Sequence, residues 1–119
     1  MSVRVLLLIA SMFGASGVAL LAAGAHAAGN QATTAGQMLL FHAPALMAGA
    51  LALATGRLRA GLALPALVVM ALGVALFAGD LTLRALHGMR LFANAAPIGG
   101  LLTISGWIAL AVAALVNRR

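Results

Sequence analysis

The sequence predicts an all-α membrane protein: an antiparallel up-down-up-down bundle of four transmembrane helices with both termini in the cytoplasm. Three observations carry that expectation. Apolar runs at about 5–25, 36–54, 62–79 and 97–116 fill most of the 119 residues, each close to the ~20 residues that span a hydrocarbon core. The chain is 65% apolar and only 7% charged, more apolar surface than a soluble domain of this size hides. The arginines are distributed unequally between alternate connections. Lipid offers no hydrogen-bond partner, so spans of this kind are helices.

The first helix is expected at about 5–25. Arg4, a long apolar stretch and Ala25-His26-Ala27 imitate a secretory signal with a small-x-small cleavage site, but the stretch exceeds the 7–15 residues of a signal core. A connection at 27–35 without charge precedes the second helix, 36–54, in which Pro44 should loosen the turn after His42. Arg57 and Arg59 mark the second connection, and the third helix is expected at 62–86. Pro97 opens the fourth, 97–116, where a missing N–H costs little. The whole chain, 1–119, is thus one integral membrane domain.

Arg4, Arg57, Arg59, Arg118 and Arg119 fall on one side of such a bundle, against Arg84 and Arg90 on the other. The positive-inside bias places the larger set, and with it both termini, in the cytoplasm. A formal charge of +6 also suits a nucleic-acid binder, but these arginines sit at span ends instead of forming a stripe beside aromatics, so no nucleic acid is expected. With no cysteine, disulfides, thiolate catalysis and thiolate metal sites are excluded. The absence of lysine with so much Ala, Leu and Gly points to a bacterial source.

Short connections make sequential helices antiparallel neighbours. Small residues recur at helical spacing through Gly14, Gly17 and Gly24 on helix one, Gly49 on helix two, and Gly99 and Gly106 on helix four. Such stripes let backbones approach closely in lipid, within one chain or between copies of a homo-oligomer or larger membrane complex. Trp107, the sole tryptophan, lies mid-span and is expected to pack between helices.

The polar residues outside the cytoplasmic set are few. Gly73, Phe77, Asp80, Arg84 and His87 share a face of helix three. His26, His42, Asp80 and Arg84 are expected to face a pocket near the outer leaflet, lined by Gln37, Phe41, Phe77, Asn94 and Pro97. Ionisable side chains inside spans are costly and usually face the bundle interior. Three roles stay open. Asp80 and Arg84 form a structural clasp, Asp80 with His42 handles protons or ions, or His26 and His42 ligate a metal or haem. The last lacks the spacing of a metal site, and no metal or cofactor is expected. No Ser-His-Asp order, carboxylate pair or phosphate loop occurs, so no catalytic residue is assigned and the protein is read as a non-enzyme. The expected function is a lipid-, ligand- or partner-binding bundle with an outer-leaflet polar pocket, and membrane lipids are its expected partners. The alternative is a minimal oligomeric transporter or proton/ion-conducting unit.

Gly24-Ala25-His26, Phe41-His42, Leu76-Phe77-Ala78-Gly79-Asp80-Leu81, Ala96-Pro97-Ile98-Gly99-Gly100 and Gly106-Trp107 together resemble the small bacterial inner-membrane proteins of domain-of-unknown-function family 423. The resemblance implies a four-span plasma-membrane protein without an established activity. Relatives often carry Tyr-Gln before the second histidine, where this chain has Leu39-Leu40, and Ser at the Asp80 position. His26 and His42 match the pattern better than Asp80 does.

Overall fold

Residues 2–116 are described by a computed structural model; Arg118 and Arg119, counted above with the cytoplasmic set, lie outside them. The order is α1 (Val3–Ala23), a π-type turn (Gly24–Ala28), α2 (Gly29–Ala54), α3 (Ala60–His87) and α4 (Ala95–Val116). Three helical stretches are long and apolar enough to cross a membrane: Val3–Ala54, Ala60–His87 and Ala95–Val116. The first has 52 residues and as a straight helix would run about 78 Å, against a longest molecular dimension of 50 Å. It is folded back on itself. The reversal falls at the π-type turn and Gly29, whose φ of 78° suits a residue without Cβ.

α2 therefore begins at Gly29, seven residues before the expected start at 36. The residues 29–35 look polar and loop-like, but they carry no proline to stop a helix. Ala32 and Ala35 are fully buried, and Thr33 Oγ1 donates to the Gly29 carbonyl. The later reversals use left-handed residues. Gly56 (φ 72°) follows α2, Gly88 (φ 67°) caps α3 and donates its N–H to the Arg84 carbonyl, and Asn94 (φ 65°) precedes α4. Asn is the side chain most at ease there after glycine.

The helices form two antiparallel hairpins, α1 on α2 and α3 on α4, joined by α2 against α3. Glycine sets both hairpin spacings. A Cβ on Gly17 would lie 3.0 Å from the Gly36 carbonyl oxygen, and one on Gly99 2.6 Å from the Phe77 amide nitrogen. On Gly106 it would meet the Met70 backbone at 2.9 Å, and on Gly49 the Leu67 side chain at 2.5 Å. Gly24 abuts Thr33, whereas Gly14 sits at ordinary contact distance from Ala43. The α4 helix buries only small residues, Ala95, Ala96, Gly99, Thr103, Gly106 and Ala113, and turns Leu101, Ile104, Ile108 and Leu115 outward. That inversion is what lipid permits, since dispersion between backbones and not expulsion of water holds the helices. The largest fully buried side chains are Leu6, Leu46, Leu67, Met70, Val74 and Asp80.

Candidate functional site

Asp80 lies seven residues from the end of α3 and is completely buried. Its Oδ2 accepts from Arg84 Nη2 at 2.5 Å, one turn along the same helix. Its Oδ1 accepts the Leu91 amide N–H at 2.9 Å. The left-handed Gly88 turns the chain back over the helix end, and the Leu91 side chain settles on Gly79. A buried carboxylate is tolerated when its charge is matched and its lone pairs are engaged; here both oxygens are. Arg84 is about one-fifth exposed, and its Nε is buried with no hydrogen-bond partner among the described residues. The unit ties α3 to the loop that leads into α4.

His42 is the second buried polar residue, 7% exposed, and stands halfway along α2. Its Nδ1 lies 2.7 Å from the Met38 carbonyl oxygen, and its Nε2 lies 3.1 Å from Trp107 Nε1. Those partners decide the tautomer. An indole N–H only donates and a carbonyl only accepts, so Nε2 carries the lone pair and Nδ1 the proton. His42 is the neutral Nδ1–H form, and a proton added at Nε2 would break the bond to Trp107. The rings are tilted at 58° with centroids 5.8 Å apart. Trp107 is thus less enclosed than expected: it is nearly half exposed, its indole edge reaching across from α4 to α2. Pro44 follows two residues later and leaves the Leu40 carbonyl without its usual helical donor.

The four polar residues expected to converge are distributed over three places. Asp80 and Arg84 are paired, His42 is paired with Trp107, and His26 is exposed in the turn between α1 and α2. No hydrogen bond or ion pair among the described residues joins either histidine to the Asp80–Arg84 pair. The early start of α2 is the reason for His42: thirteen residues of helix precede it, a rise of about 20 Å. Of the expected lining, Phe77 is partly buried, while Gln37, Phe41, Asn94 and Pro97 are exposed on the outer surface. Among the described residues no three His, Cys, Asp or Glu side chains gather as a metal site would. The hydroxyls of Ser11, Thr82, Thr103 and Ser105 each donate to the carbonyl four residues back in their own helix.

A concavity that sequence reasoning missed lies between α1 and α3. It encloses about 530 Å³ and is walled by Met12, Phe13 and Leu20 on one side and Ala75, Gly79 and Leu83 on the other. Ser16, Thr82 and His87 supply its polar atoms, with Leu91 closing the His87 end. Its volume falls within the ~300–1,000 Å³ of ligand clefts. The only advance signal was the small residues Ala75 and Gly79 on the α3 face beside Phe13 and Ser16 of α1, and their juxtaposition depends on how the two hairpins dock.

A family model described as a protein of unknown function (DUF423) matches residues 7–100. That span contains His26, His42, Asp80 and Arg84 and ends before Trp107. No curated protein and no solved structure matches the chain.

Proposed function

This chain belongs to the DUF423 family, proteins of unknown function, and from that premise we propose that it is a four-span inner-membrane protein, both termini cytoplasmic, that binds membrane lipid without catalysing a reaction. The observation that carries the reading is the α1/α3 groove, a largely apolar cleft of about 530 Å³ open along its side. An acyl chain is the molecule always present at the mouth of such a cleft. The polar residues support binding over chemistry: Asp80 engages both oxygens and His42 both nitrogens in bonds that hold helices and loops together.

The test fills the groove. Ala75 is exposed on its wall, so Ala75→Phe places a ring there without entering the core. Native mass spectrometry of the detergent-solubilised protein should find retained phospholipid on the wild type and none on Ala75→Phe. Equal retention by both proteins would refute the reading. An oligomeric proton or ion conductor is the competing function, favoured by two buried titratable residues, His42 and Asp80, on adjacent helices. Proteoliposome flux under a pH gradient, abolished by His42→Ala, would establish it in place of lipid binding.

A further inference from the structure

We propose that the His87 end of the α1/α3 groove is a headgroup site for an anionic phospholipid, with Arg90 as its phosphate ligand and His87 as a second donor; the proposal rests on the groove being a lipid site.

Length and charge point the same way. Along α3 the groove wall runs from Ala75 to His87, twelve residues or about 18 Å of helix. Half of a ~30 Å hydrocarbon core is about 15 Å, so the groove serves one leaflet and its His87 end stands at headgroup depth. At that end the only carboxylate, Asp80, is taken by Arg84 and by the Leu91 N–H. Arg90 lies within electrostatic range of Asp80 but makes no hydrogen bond or ion pair among the described residues, and it is exposed. Its neighbour Leu91 lines the groove, which puts the Arg90 backbone beside that end, within reach of the rim for a side chain of its length. The imidazole of His87 is likewise exposed there.

Arg90 is not hydrogen-bonded among the described residues, so its guanidinium can take a ligand. Arg84 is explained by Asp80, and the arginines at the opposite end by topology. On the proposed topology Arg90 sits against the positive-inside bias, and an anion at the rim would offset its charge. A planar guanidinium matches two phosphate oxygens at once, and such charge-assisted pairs are among the stronger hydrogen bonds. A zwitterionic lipid brings its own cation to the same rim and is disfavoured there by repulsion.

The experiment offers the purified full chain an equimolar mixture of phosphatidylglycerol and phosphatidylcholine with identical acyl chains and counts retained lipid by native mass spectrometry. Wild type should retain phosphatidylglycerol about tenfold over phosphatidylcholine, the scale of one charge-assisted hydrogen bond near a surface. Arg90→Gln with His87→Gln should bring the ratio near one while total lipid stays constant, and Arg90→Lys should keep part of the preference. Emission from Trp107, the sole tryptophan, checks that each variant is folded. A ratio of one in the wild type, or an undiminished ratio in the double variant, overturns the headgroup site and leaves the groove reading standing. No retained lipid of either kind overturns both. Disulfide-linked dimers of Ser16→Cys formed through the groove would show a second copy as its occupant and overturn both as well.

Discussion

Asp80 divides its two oxygens between a side chain one turn away and a backbone amide eleven residues on. The spacing of Asp80 and Arg84 made the first of these partners readable, because residues four apart share a helix face. The second was not readable, since a loop amide is aimed by Gly88 and by the seat of Leu91 on Gly79. Nor was the Trp107 partner of His42, which depends on the docking of α4 beside α2. The geometry ranks three variants. Arg84→Leu leaves a buried carboxylate with an amide as its only hydrogen-bond donor and should lower the detergent melting temperature most. Asp80→Leu with Arg84→Leu removes both charges and should fall between that variant and wild type, because an isolated buried charge costs more than a missing pair. Asp80→Asn keeps an acceptor for Leu91 and frees Arg84 to snorkel outward, so it should be mildest. Melting of all three at the wild-type temperature would mean that the pair contributes nothing.

At the scale of helices, hydropathy located the apolar spans because it reports which residues prefer lipid. It misplaced the start of α2 because it does not report where backbone hydrogen bonding ends, and 29–35 are polar yet helical. The glycine stripes carried more information than their frequency in membrane helices implies, though not uniformly. Gly99 faces α3 backbone that has no rotamer to yield, with an added Cβ 2.7 Å from the Gly73 carbonyl oxygen. Gly100, one residue on, would place its Cβ 3.9 Å from the Phe77 ring. Gly99→Ala should therefore push α4 off α3 and cost about 1–3 kcal/mol, the range for forced overpacking. Gly100→Ala should be neutral or slightly stabilising, since alanine loses less backbone entropy in a helix. Reversible unfolding in mixed micelles reads both, and a Gly99→Ala protein as stable as Gly100→Ala would show that the α3–α4 spacing is not set by this contact.

For the whole molecule, the number of bilayer crossings decides which loops face which side. The 52-residue helical stretch Val3–Ala54 counts as one crossing only if it runs straight, and at about 78 Å it would overshoot a ~30 Å core by more than twofold. The close approach of Gly17 to Gly36 sets α1 and α2 side by side, the arrangement that the proposed four crossings require. Each alternative assigns loops to sides differently. With four crossings Ser2 and Ala60 share the cytoplasmic side, and Asn30 and Ala93 face out. With three crossings Ser2 and Ala60 fall on opposite sides. The chain has no native cysteine, so single cysteines at Ser2, Asn30, Ala60 and Ala93 can be challenged with an impermeant maleimide on intact spheroplasts. Labelling is expected at 30 and 93 only, with 2 and 60 reacting after the membrane is opened. Labelling at 2 and 60 but not at 30 and 93 would invert the orientation, and labelling at just one of 2 and 60 would require an odd number of crossings.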